Sequence, residues 1–242
     1  MRITQRAGIA SQGMWSRTHL LLVSSELGDW DRALELASEL LVLGSDKLDA
    51  SLDVLARAER STILLRRGLL GDVDDPEKVV HLAEGSHELQ AQAPAFAYAG
   101  EHAWTVGDPD GARVAIERLH ELTDGAVTIY RASVAPTMVR LAVAIGDVDL
   151  GERYVAPLVD LPSMREQLHA DGARAVLAEA RGAAEAADRY RDVTSRWKVY
   201  GDPYEEAQAL LGLARTAGDA AAAERAASLL DELGVGREGG AG

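Results

Sequence analysis

A recurring stop signal constrains the fold of this chain more than any other feature. Gly-Asp pairs at Gly28-Asp29, Gly71-Asp72, Gly107-Asp108, Gly146-Asp147 and Gly218-Asp219 each follow an apolar residue and precede a helix-forming run, and Arg181-Gly182 is a degenerate case of the same signal. The successive glycine spacings are 43, 36, 39, 36 and 36 residues. A helix ends at low cost where its C′ residue adopts the left-handed conformation, which glycine reaches without a Cβ clash. An aspartate directly behind it can cap the next helix, its carboxylate accepting from orphan N–H groups and favouring the positive end of the helix dipole. Stopping one helix and starting another within a few residues makes the two antiparallel neighbours.

The flanking periodicity agrees. Trp30, Ala33, Leu34, Ala37, Leu40 and Leu41 recur at three- and four-residue steps, as do Ala112, Ala115, Ile116 and Leu119, and again Ala222, Ala223, Ala226, Leu229, Leu230 and Leu233. Each set gives one apolar stripe on a helix. A small residue recurs five positions after the glycine (Ala33, Ala112, Gly151, Ala187, Ala223), where it lets the second helix of a pair lie close to the first. With a single Phe and 5% aromatic residues, the core must be built mainly from Ala, Leu and Val. The spacing predicts six helix pairs: 12–27 with 30–43, 47–67 with 76–92, 94–106 with 109–122, 127–145 with 148–158, 163–181 with 183–199, and 203–217 with 220–233. Pro76 is expected in a first helical turn after a longer connection. The Gly-rich stretch 234–242 reads as a flexible tail behind a repeat domain at 1–233.

Leu27-Gly28-Asp29-Trp30-Asp31-Arg32-Ala33-Leu34-Glu35-Leu36-Ala37 resembles the turn and second helix of a tetratricopeptide repeat, and Gly100 falls seven residues before Gly107, where that repeat often carries a glycine. The period is close to the roughly 34 residues of that repeat. The last pair, from Tyr204 through Gly218-Asp219 to Gly234, is similar to the C-terminal repeats of large bacterial LuxR-type ATP-binding transcriptional regulators and related signalling ATPases. The resemblance implies an all-α, right-handed α-solenoid whose first helices line a concave face. It also implies a role as the interaction or effector-sensing region of a transcriptional or signalling regulator. Neither the ATPase domain nor the helix-turn-helix of such regulators is visible, so a fragment, or a free-standing scaffold or chaperone-like adaptor, is the alternative.

Charge and chemistry narrow the function. The formal net charge of −14 repels phosphate backbones, which excludes direct nucleic-acid binding unless one face is locally basic. There is no Cys, hence no disulfide framework and no cysteine-ligated metal. No apolar run is long enough for a signal peptide or membrane span, so a cytoplasmic protein is expected. None of the three Lys follows Gly, so no phosphate-binding loop exists, and no HExxH or Gly-x-Ser-x-Gly occurs. The acidic run Asp72, Asp74, Asp75 and Glu77 lacks the glycine and distal glutamate of a calcium loop and reads as capping of the helix at Pro76. The expectation is a non-catalytic chain with no metal or cofactor, and a helical-array enzyme is the least favoured reading. Placing each first helix by its distance from its glycine puts Trp15, Tyr98, Glu101, Trp104, Arg140, His169, Glu179 and Arg215 on or near the concave face, where aromatic anchors with flanking charges would suit a peptide or a small effector. Trp30, Tyr190, Trp197 and Tyr200 are expected between repeats.

Overall fold

The computed structural model describes residues 2–42, 49–125 and 128–236, and over them the chain is all-helical with no strand. The helices are α1 (Arg2–Glu26), α2 (Trp30–Val42), α3 (Ala50–Arg66), α4 (Pro76–Ser86), α5 (Leu89–Thr105), α6 (Pro109–Leu122), α7 (Thr128–Ser133), α8 (Ala135–Ala144), α9 (Val148–Val155), α10 (Met164–Ala180), α11 (Ala186–Tyr200), α12 (Pro203–Ala217) and α13 (Ala220–Leu233). The expected boundaries at 43, 47 and 127 lie outside the described residues.

The stop signals work as their chemistry requires at four of the five pairs. Gly28, Gly107, Gly146 and Gly218 all have positive φ. The side chains of Asp108, Asp147 and Asp219 accept from the backbone N–H groups of Gly111, Leu150 and Ala222. Gly71-Asp72 is a correction. The left-handed glycine after α3 is Gly68 (φ 77°), Gly71 sits in a short 3-10 turn at Leu70–Asp72, and Asp75 caps α4 by accepting from Glu77 N–H. A further Gly-Asp lies between pairs: Gly201 takes φ 96°, and Asp202 caps α12 by accepting from Glu205 N–H.

Proline explains two more departures. α5 begins at Leu89 rather than at Pro94, which lies inside it. The single helix expected over 127–145 is broken at Val134 into α7 and α8, because Pro136 has no N–H for the Ala132 carbonyl and its ring crowds that carbonyl. The five-residue rule for small side chains holds for Ala33, Ala112 and Gly151. In α11 and α13 the buried small residue is one position earlier, at Ala186 and Ala222.

Within a pair, α1 packs on α2, α5 on α6, α8 on α9, α10 on α11 and α12 on α13. Each first helix also meets the next first helix: α1 with α3, α3 with α5, α5 with α7 and α8, both of these with α10, and α10 with α12. Three apolar clusters follow one another along the chain, around Trp30, Ala33, Leu36 and Ala56, around Phe96, Ile116, Met138 and Tyr154, and around Tyr190, Trp197, Leu213 and Leu229. Burying one such aromatic side chain contributes on the order of 4 kcal/mol.

The first and last pairs also touch. Leu233, at the end of α13, belongs to the first cluster. A Cβ on Gly28 would lie 2.4 Å from Pro203 Cγ, so only glycine lets the α1–α2 turn approach α12 this closely. Arg67 donates to the Leu233 carbonyl at 3.0 Å and pairs with Asp31 at 2.7 Å. Residues 234–236 pack here as well: Gly236 N–H donates to the Arg66 carbonyl at 3.3 Å. The rest of the expected tail, 237–242, lies outside the described residues. An array in which every pair meets only its sequence neighbours would leave a long open groove. In this chain the α1–α2 turn and the α12–α13 pair are in contact instead.

Candidate functional site

The first helices meet around a cavity of about 280 Å³. Its wall takes Trp15, His19 and Glu26 from α1, Glu59 and Arg66 from α3, Pro94 and Glu101 from α5, Tyr130 and Thr137 from α7 and α8, Arg165 and His169 from α10, and Tyr204 and Glu205 from α12, with the capping Asp202. The α7–α8 break falls on this wall, so the proline that interrupts the helix also shapes the cavity.

Three arginines link neighbouring helices around it, and two of them also join the first half of the chain to the second: Arg165 through Glu26, and Arg66 through the Tyr204 ring. Arg66 on α3 forks onto Glu101 on α5 (Nη2–Oε1 2.6 Å, Nε–Oε2 3.1 Å). Arg140 on α8 forks onto Glu205 on α12 (2.7 and 2.8 Å) and reaches Thr137. Tyr204 joins these pairs, with the Arg66 guanidinium 4.0 Å and the Arg140 guanidinium 5.9 Å from its ring centroid. Arg165 on α10 holds Glu26 on α1, whose second oxygen accepts from Tyr200 Oη at 3.0 Å. Bidentate guanidinium–carboxylate geometry in a partly desolvated setting is the strong form of this contact.

The acids differ in what surrounds them. For Glu205 and Glu26, burial works against the charge, but the paired arginines outweigh it and hold both carboxyls below the ordinary glutamate range. Among the described residues Glu59 accepts one hydrogen bond, from the Ser25 hydroxyl at 3.0 Å, and burial pushes its carboxyl up. Asp202, 7% exposed, accepts only the Glu205 N–H, and burial together with the nearby Glu205 charge raises it to about 7. His169 is driven down by burial and by Arg165. Its Nδ1 donates to the Arg165 carbonyl at 2.9 Å, and its ring meets Trp197 edge-on at 4.9 Å.

Of the residues expected on a concave face, Trp15, Glu101 and His169 line this cavity and Arg140 stands behind Glu205. Glu179 and Arg215 form a separate ion pair (2.7 Å), with Tyr190 Oη donating to Glu179, next to a smaller cavity. Tyr98 is fully buried and donates to the Asp74 carbonyl, while Trp104 is on the surface at 39% exposure. Trp30, Tyr190 and Trp197 are core residues, but Trp30 packs towards Tyr204 of the last pair as well as within its own. Asp74 of the acidic run takes Arg57 and Arg60, and Asp75 is the helix cap.

Sequence reasoning passed over Glu26, Glu59, Arg66, Arg165, Asp202, Tyr204 and Glu205. One signal was present: Gly201-Asp202 repeats the punctuation where no second helix of a pair is due, immediately before Tyr204-Glu205. Among the described residues no helix is long and apolar enough to cross a membrane, and no three His, Asp or Glu side chains are grouped to hold a metal ion. Comparisons with protein-family models, with curated proteins and with solved structures find no match to this chain.

Proposed function

We propose that the chain is a non-catalytic binding module that senses a small polar effector in the cavity between its first helices, within a bacterial transcriptional or signalling regulator. In this reading the helices form a right-handed α-solenoid of six tetratricopeptide-like pairs, closed on itself so that the concave face is an interior. The observation that carries it is the makeup of the wall: ionic side chains from α1, α3, α5, α10 and α12, drawn from both halves of the chain, surround one space. A ligand that contacts all of them binds the closed arrangement better than any opened one, and that difference in affinity is what shifts a conformational equilibrium. The repeat punctuation and the likeness of residues 204–234 to regulator repeats support the regulatory setting.

A thermal-shift screen with a library of small polar metabolites tests this. The expected result is at least one compound that raises Tm in wild type and has no effect on Trp15→Ala. A library that leaves Tm unchanged, beside a peptide partner whose capture depends on Trp104, would replace the effector with a protein ligand on the outer surface.

A further inference from the structure

The charges around the cavity do not cancel. Each arginine on or behind the wall is already paired with carboxylate: Arg66 with Glu101, Arg140 with Glu205, and Arg165 with both Glu26 and Glu166. Two acids of the wall, Glu59 and Asp202, form no ion pair among the described residues. Among them Glu59 accepts a single hydrogen bond, from the Ser25 hydroxyl. Asp202 uses one oxygen to cap α12, and its other oxygen accepts no hydrogen bond among the described residues. That second oxygen is not sealed in protein, because the only buried side-chain polar atom without a partner among the described residues is Thr194 Oγ1. Asp202 is one of the residues that line the cavity. The same wall includes Trp15 and Tyr130, together with Tyr204, whose ring already has the Arg66 guanidinium 4.0 Å from its centroid. The space, about 280 Å³, equals roughly nine waters at about 30 Å³ each.

Carboxylates without an ion pair beside aromatic rings in a small recess are a recognition set for an organic cation, since each attracts an ammonium or guanidinium group and the pairing removes the penalty of a lone buried charge. An anionic ligand would have to displace a carboxylate from its arginine fork. We propose that the cavity binds a small organic cation carrying a primary ammonium or guanidinium group, held between Glu59 and Asp202. The state of these two acids without a ligand fits: burial disfavours the charge on both, and a bound cation would offset that cost.

This rests on the effector reading above and names the effector's chemistry. The test is calorimetric titration of the whole chain at pH 8 with 1,4-diaminobutane and agmatine, with 1,4-butanediol and succinate as length-matched neutral and anionic probes. The variants are Glu59→Gln, Asp202→Asn and the double substitution; asparagine keeps the oxygen that caps α12, and circular dichroism checks that each variant folds. The expected result is that at least one cation binds wild type at least tenfold more tightly than either control, and that the folded double variant loses at least tenfold. Succinate or butanediol binding as well as the cations, equal cation binding by the double variant, or no cation binding at millimolar concentration would each overturn the proposal. In those cases a hit from the wider metabolite library would leave the effector reading standing, whereas a screen with no hit at all would remove both.

Discussion

Single side chains in this protein show how differently a buried charge can be accommodated. Arg131 is fully buried and forms no ion pair among the described residues. It donates to the Tyr154 and Arg153 carbonyls at 2.8 and 3.1 Å, to Thr123 Oγ1 at 3.4 Å and to the His120 ring, so it sits at the C-terminal ends of α6 and α9 where the helix dipoles favour a cation. Replacing it with Met leaves those acceptors buried and unpaired, and should cost about 3 kcal/mol, read from urea unfolding. Asp202 is the opposite case, a carboxyl disfavoured as an anion. Its folded pKa, about 7, lies above the unfolded value near 3.9, so the folded state binds more protons between them. The stability it contributes is present at low pH and is lost as pH rises towards and through 7. Asp202→Asn should therefore be more stable than wild type above pH 7, by on the order of 2 kcal/mol, with the advantage shrinking towards pH 4; the difference between the two stability–pH curves checks this. A difference that grows on acidification would refute it.

At the scale of elements, close approach depends on particular small residues. A Cβ on Gly212 in α12 would lie 2.2 Å from Tyr190 Cζ in α11, at the aromatic ring whose hydroxyl reaches Glu179. Gly212→Ala should push α11 from α12, cost about 1–3 kcal/mol and lower Tm by several degrees, measurable by calorimetry. This position also marks what the sequence makes legible. Helix class, the turns at Gly28, Gly107, Gly146 and Gly218, and the whole of the last pair follow from local rules, since a left-handed glycine and a capping aspartate act within one turn. The break at Val134 was readable from Pro136, and the start of α5 was obscured by Pro94, because proline suits a first turn but can also be accommodated within a helix. The cavity was not legible beyond Trp15, Glu101, Arg140 and His169. Glu26 meets Arg165 across 139 residues, and no period within one helix pair encodes such a pairing.

For the molecule as a whole, contact between first and last pairs changes how stability is shared. In a linear array, removing the last pair affects only its neighbour. Here a chain ending at residue 200 would lose Pro203, Tyr204 and Leu233 from around Gly28, Trp30 and Arg67. Amide hydrogen exchange in α2 should accelerate at least tenfold on that truncation, although α2 lies far from it in sequence. Unchanged protection of α2 would mean that the two ends do not support one another.

The Gly28–Pro203 approach also bears on how this architecture can evolve. Open repeat proteins lengthen and shorten by duplicating or deleting a unit, because a new unit only has to match its neighbours. Where Gly28 is seated on Pro203 and Leu233, inserting or deleting a helix pair between them would have to preserve that contact. Divergence is then confined to substitutions on a constant number of pairs, with the cavity wall as the place where they change what is recognised.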